Sequence, residues 1–146
     1  MTAAKGAFKT VAVAGTASHT NPRGVDQGAL YVTHDTYEAA TLVTGSTIEI
    51  GTKLPLNAYV HDAIVGYDAM GSSTSFSLGD SEDPDRYITN TATTSAGVTR
   101  LNAVDGMGYK CDETQGTSNS DRQVLITTVD SGSMSNTIKA TVFWSF

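Results

Sequence analysis

The strongest constraint in this sequence is a repeat of two. In STSFSLG, residues 73–79, Thr74, Phe76 and Leu78 point one way and Ser73, Ser75 and Ser77 the other. In TIKATVFWSF, residues 137–146, Ile138, Ala140, Val142, Trp144 and Phe146 share one face. Ile48 and Ile50 alternate in the same manner with Thr47, Glu49 and Gly51. Successive side chains on a strand point to opposite faces, so this pattern builds sheets and cannot build the 3.6-residue stripe of an amphipathic helix.

Clusters of turn formers divide the alternating runs: MGSS, DSEDPD, DETQGTSNSD and SGSMSN. They recur about every 8–12 residues, the spacing of short antiparallel strands. Residues 58–68, AYVHDAIVGYD, carry apolar side chains on both faces, which suits a central strand or a subunit contact. Residues 35–41, DTYEAAT, have a capping-box spacing from Asp35 to Glu38. Extended chain is preferred there, because strand signals flank the segment on both sides. Thr91 to Val98 reads as a polar loop, and GMGYKC as a strand after a glycine turn. The expected fold is all-β: an antiparallel β-sandwich or jelly roll of about seven to nine strands.

Residues 29–146 form the sandwich domain in this reading, and residues 1–28 an extended N-terminal arm. Phe8 to Val13 suits a short strand, while GTASHTNPRGVDQG (residues 15–28) suits a loop. The arm either contacts a neighbouring subunit or frays as a terminus. Its opening residues are too short and too weakly apolar a run for a signal peptide.

Charged residues make up only 16% of the 146 positions, against about 25% in typical soluble domains. Thr, Ser and Gly take their place, which favours strands and turns. The formal net charge is −6 and the nine basic residues are scattered. Nucleic acid and anionic membrane are therefore excluded as expected partners. No apolar run approaches the ~20 residues of a membrane-spanning helix. The single cysteine, Cys111, excludes an intrachain disulfide and reads as a small buried apolar residue.

The chemistry of the chain concentrates in LGDSEDPDRYI, residues 78–88. Four carboxylates, Asp80, Glu82, Asp83 and Asp85, fall within six positions. Calcium takes six to eight oxygen ligands, so these four are the candidate metal set, although the loop lacks the glycine and distant glutamate of an EF-hand. The competing reading is a turn. In it Asp80 or Asp83 accepts backbone N–H bonds, Pro84 fixes its own φ, and Arg86 pairs with a carboxylate. The turn is the expectation, with Asp85 and Arg86 the residues whose loss costs stability. No metal, cofactor or catalytic residue is assigned.

Gly79–Asp80–Ser81 has the look of an esterase nucleophile block. The histidines, His19, His34 and His61, all precede Ser81 instead of following it, and Glu82 stands where an aliphatic residue belongs. His61 reads as a cross-strand polar partner. Asp62 and Asp68 share a face with Ile64 and, if buried, require partners, for which subunit contacts are the natural place. The tyrosine-rich aromatics read as core and interface, with sugar stacking as the alternative.

The stretch from Ile48 to Tyr109 resembles a pattern of small structural proteins of tailed bacteriophages. Its parts are a strand ending in I-E-x-G (Ile48 to Gly51), a turn carrying Leu54–Pro55, and a long strand closing on Asp68 to Gly71. An alternating strand ending at Gly79–Asp80, an acidic loop from Asp83 to Ile88, and Gly106 to Tyr109 complete it. The resemblance implies a jelly-roll protein of the virion, assembled in the host bacterial cytoplasm. It implies no enzymatic activity. It implies a capsid decoration or cement protein that binds and stabilises the outer surface of the head. The alternative is a fibre or spike module for a receptor or carbohydrate, with the polar loops at 91–97 and 112–121 as its cue. The family resemblance further implies a homo-oligomer, most often a trimer, attached to the major capsid protein or other virion proteins.

Overall fold

The structure, a computed structural model, describes residues 29–111, 122–130 and 132–146. The expected arm at residues 1–28, including the strand at Phe8–Val13, and the loop at 112–121 lie outside these residues. Nine strands are present: β1 (Tyr31–Leu42), β2 (Thr47–Glu49), β3 (Tyr59–Tyr67), β4 (Ser75–Gly79), β5 (Ile88–Ala92), β6 (Gly97–Arg100), β7 (Tyr109–Lys110), β8 (Leu125–Thr128) and β9 (Met134–Ser145). A 3₁₀ turn, Val104–Gly106, precedes β7.

The strands form two antiparallel sheets. One has the order β1-β9-β3-β6, with the two-residue β7 also paired to β3, and the other has β2-β8-β4-β5. With β7 set aside, successive strands alternate between the sheets except for the β4–β5 hairpin, and the first and last strands lie side by side. That connectivity is a jelly roll, so the expected fold class holds.

The period of two explains the core. Ile138, Ala140 and Val142 of β9 are buried, and their partners on β3 are Tyr67, Val65 and Ala63. Directly paired residues of antiparallel strands share a face, so Val65 and Ala63 are buried with them. From the other sheet come Phe76, Leu78 and Ile126, and the Tyr67 and Phe76 rings meet edge-to-face at 5.4 Å across the two layers. β3, apolar on both faces in sequence, is indeed central. Cys111 is fully buried in this core.

Four expectations change. Ser75 and Ser77 do not face solvent as a half-exposed strand would suggest; both are buried together with Phe76 and Leu78. β4 is interior to its sheet, and a short serine sinks below longer neighbours such as Thr127. The loop at Thr91–Val98 is shorter than expected, because Gly97–Arg100 forms β6. β6 pairs only with β3 and leaves Val98 exposed, so no apolar alternation marks it. SGSMSN is not wholly a turn either, since β9 starts at Met134. Asp62 finds its partner within the chain: Arg100 of β6 donates through Nε at 2.6 Å and also through Nη2.

Candidate interaction surface

The acidic turn joins β4 to β5 and is built around one carboxylate. Asp80 is fully buried, and its Oδ1 accepts the backbone N–H groups of Glu82 and Asp83, each at 2.9 Å. Arg86 Nε donates to Asp80 Oδ2 at 2.5 Å, and Arg86 Nη2 lies 3.3 Å from Oδ1. The turn's backbone closes on itself as well: Asp80 and Arg86 both donate N–H to Asp83 O, at 3.0 and 3.2 Å. Tyr87 N–H donates to Leu78 O at 2.9 Å, and the β5 ladder starts there.

A third segment seats this knot. The Arg86 guanidinium lies over the Tyr109 ring, 4.0 Å from its centroid, so the cation is held by a carboxylate on one side and a π face on the other. Tyr87 meets Tyr109 edge-to-face at 6.4 Å. The glycines follow from this packing. A Cβ on Gly79 would stand 2.1 Å from Asp83 O, and one on Gly106 would stand 2.3 Å from Arg86 O. Only glycine permits those approaches. The sequence segments Gly79–Asp80, Asp83–Ile88 and Gly106–Tyr109 thus converge on one piece of structure.

The electrostatics match the geometry. Burial alone would lower the Arg86 pKa, but the hydrogen bond and charge of Asp80 outweigh it and keep the guanidinium charged. Burial pushes the Tyr87 hydroxyl well above its ordinary value, so it stays neutral. Asp85 points outward, and its carboxyl is pushed above 3.8 by a hydrogen bond with Asp83, by desolvation and by the charge of Asp83.

The four candidate metal ligands are not arranged as one site. Both Asp80 oxygens are engaged inward, and a cation there would have to displace a guanidinium and two backbone donors. Glu82 and Asp85 are exposed on the turn's outer side. No group of three or more His, Cys, Asp or Glu side chains fit to hold a metal occurs among the described residues. Beside the turn is a cleft of about 320 Å³ lined by Asp83, Asp85, Arg86, Asn102 and Asp105 among others, polar and open. Sequence reasoning placed weight on Asp85; the structure moves it to Asp80, whose burial nothing in the local pattern announces.

Ser81 sits on this turn at one end of the β2-β8-β4-β5 sheet. His34 and His61 lie on β1 and β3 of the opposite sheet, where they pair with Thr141 and Ser145 at 2.8 Å. His61 is therefore the cross-strand partner expected, and neither histidine is positioned on Ser81. His19 lies outside the described residues.

Aromatic side chains gather instead at the corner where β1 begins and β9 ends. Tyr31 stacks on Trp144 with ring centroids 4.6 Å apart, and Phe146 packs edge-on against both, at 5.7 and 5.5 Å. Trp144 Nε1 donates to Thr33 Oγ1 at 3.0 Å, which fixes the indole while Tyr31 and Phe146 remain exposed.

Four outcomes follow from the turn. Replacing Arg86 by Ala leaves the Asp80 charge buried without its cation and is expected to cost about 3–5 kcal/mol in urea unfolding. Adding Asp80→Asn to that variant removes the stranded charge and should recover part of the loss. EDTA should leave the melting temperature of the wild-type chain unchanged, since the turn's buried carboxylate is already matched by Arg86 and two backbone donors. Finally, a carboxyl whose pKa is raised in the folded state opposes folding once ionised. Asp85→Asn should therefore raise the melting temperature at neutral pH. That gain should shrink as pH falls through the Asp85 pKa and vanish below 3.8, where aspartate is protonated folded or unfolded.

No protein-family model and no curated protein matches the chain. Solved structures do. A chain from the capsid asymmetric unit of cyanophage Pam1 superposes with a TM-score of 0.65 and 16% identity, over 80% of this chain and 84% of that one. One from the capsid of Ralstonia phage GP4 gives 0.59 and 16%, over 81% and 84%. One from the acid-stable capsid of Helicobacter pylori bacteriophage KHP30 gives 0.56 and 11%, over 80% and 87%. At these identities the likeness is one of fold, and it extends over nearly the whole of each partner chain.

Proposed function

We propose that this chain is a non-enzymatic structural protein of a tailed-phage particle. Specifically, it is a decoration or cement protein that binds the outer surface of the head and stabilises it. The observation that carries the virion reading is the fold likeness, over about 80% of this chain, to chains of three phage capsids; the decoration role rests on the sequence resemblance. The interior of the sandwich supports it. Among the described residues the one buried acid, Asp80, is consumed by a turn, and His34 and His61 are tied to strand hydroxyls. A side chain held this way positions backbone and leaves no group poised for reaction. The partners are the major capsid protein and further copies of this chain, as the trimer that the resemblance favours. The location is the virion, after assembly in the host cytoplasm.

The test is binding to heads. Purified protein mixed with heads of the phage from which the sequence comes, stripped of it, should co-sediment in a density gradient to a saturable stoichiometry. It should also raise the temperature at which the heads release DNA. Absence from the head fraction together with retention on a glycan array would replace this reading with the receptor-binding one.

A further inference from the structure

β1 pairs with β9 alone, so its other edge has no ladder partner among the described residues. A bare edge of 12 residues with neither proline nor lysine is a template for another strand. The middle of β1 is already occupied. Asp35 Oδ1 accepts the Thr36 N–H at 2.8 Å, and its Oδ2 accepts the Gly51 N–H at 3.1 Å. The unencumbered end is Tyr31–His34, next to the aromatic corner. There Leu30, Tyr31, Val32 and Phe146 are 57%, 42%, 55% and 63% exposed, so this end of β1 offers apolar side chains on both of its faces.

We propose that Phe8–Val13 of the same chain, FKTVAV, adds to this end of β1 as an antiparallel strand and lays its apolar side chains on the corner. Length favours this occupant. Six residues match the six from Ala29 to His34 that precede Asp35, whereas the 12-residue β1 of a second copy carries the same obstruction. Connection favours it too. The segment joins the corner through residues 14–30, and such a tether acts like a local concentration in the millimolar range, while closing a longer loop costs only slowly more. The intervening residues 15–28 are rich in Gly, Asn and Pro and are poor competitors for a strand site. Charge agrees, because Lys9 comes to an edge that carries Asp35 and Glu38. This inference is independent of the virion reading.

Amide exchange by NMR in the full chain tests it. Val11→Pro removes a ladder donor and should speed exchange roughly tenfold or more at those amides of Val32–His34 that point away from β9, while β3 amides keep their protection. Trp144 is the only tryptophan, so its emission reads the corner directly. Val11→Pro and, separately, Phe8→Ala should shift it to the red. Protection of Val32–His34 should not change on dilution. Unchanged exchange and emission in both variants would overturn the proposal. Protection that fades on dilution would overturn it as well, by assigning the strand to a neighbouring copy.

Discussion

The buried carboxylate of Asp80 is the constraint from which much of this fold's regularity follows. A charge fully removed from water must be matched, and here it is matched three ways at once: by two backbone N–H groups, by a guanidinium, and through that guanidinium by the Tyr109 ring. Those partners come from the end of β4, the turn, the start of β5 and the approach to β7. The interaction therefore fixes where one sheet's hairpin turns and where the other sheet's β7 segment passes. It costs the chain two glycines, at positions 79 and 106, because the backbones approach too closely for a Cβ.

The legible part of the fold was the part written locally. Alternation in 73–79 and 137–146 locates β4 and the inner face of β9, because a period of two in residue type is readable in any window, although in β4 the serine face is buried as well. β6 escaped because it is a sheet edge four residues long, with its apolar side chain, Val98, turned to solvent. The pairing of Asp62 with Arg100 escaped because it spans 38 positions that only the folded sheet brings together. The acidic turn shows the same limit at finer scale. Its composition named the right residues and the right kind of structure, but four carboxylates in six positions look alike in sequence. Which one is buried depends on where Arg86, Gly106 and Tyr109 stand, and that is tertiary information.

What the molecule offers a partner is surface. The polar cleft beside the turn is open and lined by carboxylates, and the sandwich interior is filled by side chains from both sheets. Binding by such a domain depends on complementary area and on backbone edges more than on a pocket. Its low charge content leaves few long, strongly hydrated side chains to be stripped of water at a contact. A domain of this kind is suited to being one tile among many.

The adjacency of β1 and β9 has a consequence in time. Tyr31 faces Trp144 across the ladder, and the indole's hydrogen bond to Thr33 joins residues 111 positions apart. As the chain leaves the ribosome, β1 waits for β9, its ladder partner in this sheet. Long-range strand pairing of this sort is slow to form and leaves apolar segments uncovered meanwhile. Until β9 is made, the aromatic corner has only Tyr31, and β1 is left without its ladder partner. The cell must carry this protein through that interval, which ends when β9 docks against β1.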